Sequence, residues 1–196
     1  AFASKYRGDN TVSISYFGDG AANQGQVYES FNMAKLWNLP AVYIVENNRY
    51  GMGTSVERAS GQPDFSKRGI SFGIEGEQVD GMDVRMTYDA AKRAIEHARS
   101  GKGPYILEML TYRYRGHSMS DPAKYRSKDE VSTMRAEHDP IEQVKQRILE
   151  KRYGTEESLK ELETEIRAIV TEAADFATSD PEPPASELWT DIYAPA

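Results

Sequence analysis

Apolar positions along this chain follow two alternating rhythms, and those rhythms predict its elements. Val12, Ile14 and Tyr16 alternate with Ser13 and Ser15, which predicts a strand over 12–17. Ala41, Val42, Tyr43, Ile44 and Val45 form an unbroken apolar run, the kind a parallel strand covered on both faces requires. Between them, the spacing of Val27, Phe31, Ala34 and Leu36 predicts a helix over 24–37 with those four residues buried; Leu39-Pro40 ends it. Residues 49–63 show little periodicity and carry Gly51, Gly53, Gly61 and Pro63, so they read as a loop. Asp64 is placed to cap a short helix over 64–68. Gln78-Val79 reads as a short strand closed by the turn pair Asp80-Gly81. Ala90, Ala91, Ala94, Ile95 and Ala98 share one side of a helix over 87–99, and Gly101-Lys102-Gly103-Pro104 breaks it. A third strand over 105–112 runs into a polar loop over 113–122. Strands alternating with helices give an α/β fold, a mostly parallel sheet flanked by helices.

The rhythm changes near residue 127. Ser127 and Glu130 match a capping box opening a helix, and Asp139-Pro140 places a cap and a first-turn proline before another. Thr155 caps a long helix with Glu156 and Glu157 in its first turn. Leu159, Leu162, Ile166, Ile169, Val170, Ala173, Phe176 and Ala177 make an apolar stripe near heptad spacing along it. The proline-rich 180–184 segment ends that helix. The expected organisation is an α/β domain over 1–126 and a helical extension over 127–196 that packs on the core or on a partner subunit. The opening segment, with no methionine, reads as the last turns of a helix cut midway, so the chain is expected to be a fragment whose amino-terminal part lies outside it.

Composition narrows the function. The 196 residues suffice for a sizeable core, and a net charge of -7 argues against nucleic acid or an anionic membrane surface as partner. Without cysteine there is no disulfide, zinc-thiolate site or thiol nucleophile. No apolar run approaches the roughly 20 residues of a membrane span.

The candidate chemistry lies at two predicted strand ends. Gly18-Asp19-Gly20-Ala21-Ala22-Asn23 follows the first strand, and Asn47-Asn48-Arg49-Tyr50 follows the second, where open α/β sheets bind ligands. Glycines at 18 and 20 let backbone approach a bulky anion. Asp19 offers a hard carboxylate oxygen, Asn48 a neutral amide oxygen and Tyr50 a main-chain carbonyl, a donor set suited to Mg2+ with room left for phosphate oxygens and water. The Gly20 and Ala21 N–H groups begin a helix and can face the anion. A dinucleotide fingerprint fails because Asn23 stands where its third glycine is required. Ser118 lacks the flanking glycines of a hydrolase elbow. His117 sits at a strand end among cations, whereas His97 and His138 read as surface residues. Arg113, Arg115 and Arg126 read as anion-binding or solvated loop charges.

Gly18-Asp19-Gly20 with Asn47-Asn48 resembles the thiamine-diphosphate fingerprint. With the 46–55 and 112–122 segments, Tyr112-Arg113-Tyr114-Arg115-Gly116-His117-Ser118-Met119-Ser120-Asp121-Pro122 above all, the chain resembles, over nearly its whole length, the alpha-subunit family of the pyruvate dehydrogenase first component. That family includes branched-chain 2-oxoacid and acetoin dehydrogenase alpha subunits. Its full-length members are longer, and the likeness is to their carboxyl-terminal half or slightly more. The resemblance implies the thiamine-diphosphate-binding fold and Mg2+ held by Asp19, Asn48 and the Tyr50 carbonyl. It implies cofactor contacts from Gly18, Gly20, Ala21 and His117, with His117 assisting in substrate handling and reductive acetylation. Ser118 and Ser55 match serines phosphorylated in mitochondrial members; a third such serine is missing at Ala123-Lys124-Tyr125-Arg126, which favours a bacterial cytoplasm over a mitochondrial matrix. The implied reaction is oxidative decarboxylation of pyruvate with acetyl transfer to a lipoyl acyltransferase. The implied assembly is an α2β2 heterotetramer in which the beta subunit supplies the activating glutamate. Acetoin and branched-chain substrates stay open as alternatives, as does a non-catalytic assembly module.

Overall fold

A computed structural model describes residues 1–193. It comprises two compact units, Ala1–Val144 and Lys145–Ala196. The first is an α/β unit built on four parallel strands: β1 (Ser13–Gly18), β2 (Ala41–Asn47), β5 (Glu75–Asp80) and β6 (Tyr105–Leu110), in the order β1-β2-β6-β5. A hairpin of β3 (Tyr50–Gly51) and β4 (Thr54–Ser55) stands at the carboxyl end of β2.

The central strands show why the sheet is parallel. Ala41–Val45 and Ile106–Met109 are buried throughout, as strands covered on both faces must be. Side chains alternate between faces. Val42, Ile44, Leu107 and Met109 pack with Ala90 and Ala94 of helix α4 (Val84–His97) and with Ala98 just beyond it, small side chains that bring the helix close to the sheet. Tyr43, Val45 and Ile106 meet Phe31 and Ala34 of helix α2 (Gly25–Leu36) together with Phe65. The Phe31 and Tyr43 rings meet edge-on at 4.8 Å, and Tyr43 Oη lies 2.7 Å from Ser30 Oγ.

Several boundaries depart from the sequence expectation. Helix α4 begins at Val84 because Asp83 caps it, accepting from the N–H groups of Arg85 (2.9 Å) and Met86 (3.3 Å). Strand β5 is longer than Gln78-Val79; it is an outer strand whose one buried residue is Val79, so it carries no alternation to read. The short helix capped by Asp64 extends as a 3-10 helix over Phe65–Phe72. Leu36 is 72% exposed, not buried. Val27, Phe31 and Ala34 follow the helical spacing, but two residues further on is the opposite side of the cylinder. His97, read as a surface residue, has a mostly covered side chain whose ring lies 5.0 Å from that of Tyr105. Burial holds its imidazole below the usual range.

Helix α1 (Phe2–Arg7) ends on Gly8 in the left-handed region, and α3 (Val56–Ala59) is a single turn after the hairpin. Helix α5 (Lys128–His138), expected in the carboxyl-terminal extension, lies within the first unit. Ser127 Oγ accepts from the Glu130 N–H at 3.0 Å, as one half of the capping box. The Glu130 carboxylate instead accepts the Tyr112 hydroxyl at 2.7 Å, which pins α5 to the segment after β6. Burial, together with the hydrogen bond to the Glu130 carboxylate and its charge, pushes the Tyr112 phenol up to about 12. Helix α6 (Pro140–Glu150) crosses from the first unit into the second. In the second unit α7 (Glu156–Ser179) opens on a reciprocal box between Thr155 and Ser158. Its Leu162, Ile166, Ile169, Val170 and Phe176 are exposed. No helix among the described residues is long and apolar enough to cross a membrane.

Candidate functional site

Register places the two sequence motifs side by side. Gly18, the last residue of β1, pairs with Glu46 on β2, so Asp19 and the Asn47-Asn48 turn leave the same edge of the sheet. Asp19 is only 3% exposed. Burial raises its carboxyl above the usual carboxylate range, opposed by its own N–H, the Asn48 N–H and the Arg113 charge. Gly20 and Gly51 bring their chains together: a Cβ on Gly51 would lie 3.2 Å from the Gly20 Cα and 3.8 Å from Asp19 Oδ2. Glycine on both sides is what allows the hairpin to close against Asp19.

The Asn47-Asn48 turn is itself tied down. Asn47 Oδ1 accepts the Arg49 N–H at 3.1 Å, and Arg49 adopts a left-handed φ of 73°. The turn aims the Asn48 side chain and the Tyr50 carbonyl at a common point. Arg113 Nη2 marks that point, donating to Asn48 Oδ1 at 3.0 Å and to Tyr50 O at 3.1 Å. A positive group thus already sits between the two neutral oxygens and faces the Asp19 carboxylate. The donor set therefore fits a cation. Among the described residues no group of three or more His, Asp or Glu could hold a metal, so one carboxylate and two neutral oxygens are what this site offers.

Gly18 ends β1, and Ala21 starts the short 3-10 turn Ala21–Asn23 behind Gly20. His117 and Ser118 stand on an exposed loop after β6. Asp121 organises that loop, accepting from the His117 N–H (2.7 Å), the Ala123 N–H (2.8 Å) and the Tyr125 hydroxyl (2.9 Å). These bonds, that from His117 first, hold its carboxyl below the usual range. Ser118 Oγ lies 3.0 Å from Ser120 Oγ. The Tyr125 ring packs tilted against Tyr50, centroids 5.1 Å apart, and covers Gly53, which docks the loop on the hairpin. Ser55 closes that hairpin opposite Tyr50 and precedes α3.

Sequence reasoning picked out the arginines but not what Arg113 and Arg126 hold. Arg113 is no solvated loop charge, and Arg126 donates to the carbonyls of Arg113 and Arg115 while lying 5.2 Å over the Tyr112 ring. The alternation of tyrosine and arginine over 112–115 was the available signal. Asp121 and Tyr125 carried none beyond their neighbourhood to His117.

Residues 1–186 match the family described as Dehydrogenase E1 component. A protein of Rhizobium meliloti (strain 1021), named pyruvate dehydrogenase E1 component subunit alpha, is 72% identical over 98% of this chain and 55% of its own length. The namesake of Rickettsia bellii (strain RML369-C) is 55% identical over 98% of the chain and 59% of its length. The somatic, mitochondrial form of Rattus norvegicus is 51% identical over 99% and 50%. The chain spans somewhat more than half the length of the two bacterial relatives and half that of the rat protein.

Proposed function

The chain belongs to the dehydrogenase E1 component family, and from that premise we propose that it is the portion of a pyruvate dehydrogenase alpha subunit that grips Mg2+ and the diphosphate of thiamine diphosphate. One observation carries the reading: Asn48 Oδ1 and Tyr50 O converge on a single cationic nitrogen beside the buried Asp19 carboxylate. Asp19, Asn48 and the Tyr50 carbonyl are the metal ligands, with the rest of the coordination shell left to phosphate oxygens and water. Gly18, Gly20 and Ala21 bring backbone against the diphosphate.

When bound, thiamine diphosphate supplies the electron sink for losing carbon dioxide from a 2-oxo acid. The chain's own residues do the holding. Asp19 contributes the negative charge, while the Asn47 turn keeps the two neutral oxygens aimed together and Arg113 holds them until the ion enters. His117 offers an imidazole as proton donor or acceptor, on a loop stapled to the hairpin through Asp121 and Tyr125. A phosphate on Ser118 would add about two negative charges to that loop and repel the diphosphate. Ser55 is the second modification position. The partners are a beta subunit in an α2β2 heterotetramer, a lipoyl acyltransferase that accepts the acetyl group, and pyruvate, in a bacterial cytoplasm.

Isothermal titration with Mg2+ and thiamine diphosphate, with and without the beta subunit, tests this. Binding in the heteromer alone is the expected result for a half-site. No binding in either case overturns the proposal in favour of an inert assembly module. Turnover of pyruvate against acetoin and 2-oxoisovalerate in the reconstituted complex then decides the substrate.

A further inference from the structure

The most deeply buried charged residue in the first unit has no part in the chemistry so far. Glu108 lies in the middle of β6, a central strand, with 0% exposure and apolar neighbours Leu107 and Met109 along the strand. A carboxylate there costs stability unless every oxygen is satisfied. Three N–H donors meet it. Glu108 Oε1 accepts from Asn47 Nδ2 at 2.7 Å, and Oε2 accepts from Gln78 Nε2 at 3.0 Å and from the Ser66 N–H at 3.2 Å. These three partners donate, and the Asp64 carboxyl lies against Glu108 as well, so the position favours a side chain that accepts on both oxygens, as a carboxylate does and an amide does not.

Of the three, Asn47 leads to the site. Its Nδ2 is held by Glu108, its Oδ1 accepts the Arg49 N–H at 3.1 Å, and its carbonyl accepts the Thr111 N–H at 2.8 Å. Asn47 therefore fixes the turn in which Arg49 is forced to a φ of 73° and from which Asn48 Oδ1 and Tyr50 O point inward. A left-handed non-glycine residue persists only where its surroundings determine it. We infer that Glu108 is the positioning residue of the cation site: through Asn47 it sets the orientation of Asn48 and Tyr50, and with it the affinity for a divalent cation. The inference rests on the reading of Asp19, Asn48 and Tyr50 as ligands.

The test titrates Mg2+ with thiamine diphosphate into the chain assembled with its beta subunit and follows thermal unfolding in parallel. Wild type binds. Glu108→Gln sets an NH2 group against donors and is expected to lower cation affinity about 10- to 100-fold, the usual range for groups that orient ligands. Gln78→Ala removes a donor on the side away from the turn. It is expected to lower the melting temperature while leaving cation affinity unchanged, separating positioning from bulk stability. Glu108→Gln combined with Gln78→Glu re-pairs the network and is expected to restore part of the affinity. Should Glu108→Gln fail to fold, Asn47→Ala breaks the same link from its other end and must show the same loss. Wild-type affinity in Glu108→Gln, or in Asn47→Ala, overturns the inference and leaves the ligand assignment standing. Absence of cation-dependent binding in the wild type overturns both.

Discussion

Replacing Arg113 by methionine should tighten binding of a divalent cation alone. The guanidinium donates to Asn48 Oδ1 and Tyr50 O, the two neutral oxygens we propose as ligands of the ion. It cannot stay there beside the ion: at 4 Å and an effective dielectric constant near 20, a single and a double positive charge repel by about 8 kcal/mol. It must swing away, giving up two charge-assisted hydrogen bonds worth about 1.5–3 kcal/mol each. Part of that loss is recovered at Asp121, whose carboxylate already feels the Arg113 charge. The net cost to the incoming ion is then on the order of 1–3 kcal/mol, so methionine, which keeps bulk and removes charge, should strengthen binding about 5- to 150-fold. The opposing effect is the loss of a group that keeps the oxygens aimed. Asn47 and the hairpin still hold the turn, so that loss is the smaller of the two. The assay is calorimetric titration of Mg2+ or Mn2+ without diphosphate, with the Asp19 variant as the blank. Affinity for the ion that is unchanged or lower in Arg113→Met refutes the competition argument.

Three further outcomes follow from the geometry. Asp19→Ala removes the site's one carboxylate and should abolish cation-dependent cofactor binding with little change in the circular dichroism spectrum; normal affinity would show that the charge comes from elsewhere. Asp121→Ala deletes the acceptor of three hydrogen bonds around His117 and should speed proteolytic cleavage within 115–125 several-fold, leaving the melting temperature nearly constant. His97 gives the pH dependence. Burial, helped by Lys102 and Lys35 and opposed by Glu75, lowers its imidazole below 6.5 in the folded chain. The unfolded chain then binds the proton more readily, so stability is full above pH 6.5 and falls as pH drops from there toward the folded-state value. Melting temperatures at pH 8 and pH 5.5 should differ less in His97→Asn than in wild type; an equal difference would place the titration in another group.

Which parts of the molecule were legible in the sequence follows from how each is stabilised. Ala41–Val45 announced itself because a strand buried on both faces has no polar position to confuse the period. The alanines of α4 were legible for the same reason, since a helix lying close on a sheet tolerates little else along that side. Strand β5 was legible only as the short piece Gln78-Val79 because its sequence, Glu75-Gly76-Glu77-Gln78-Val79-Asp80, buries a single side chain; backbone pairing with β6 sets its full length. The exposed apolar residues Ile14 and Tyr16 of β1 carry the strand rhythm without the burial that usually accompanies it, because β1 is an outer strand of the sheet described.

The site divides along a similar line. Asp19, Asn48 and Tyr50 could be picked from sequence because each follows a strand end and offers an oxygen by residue type or by turn geometry. What aims them could not be. Arg113, Asp121 and Tyr125 lie 63 to 65, or more, residues away from the turn they complete. Glu108 sits within a strand whose other buried residues are apolar. Local pattern says only that such a charge is out of place. The sheet register, which sets Glu108 against Val45 on one side and Gln78 on the other, brings it within reach of Asn47 two residues further along β2. An apparent defect in the hydrophobic pattern thus becomes the support of the turn that presents the oxygens. A buried polar residue at mid-strand in a parallel sheet is therefore best read with the strand end beside it, not with its own strand.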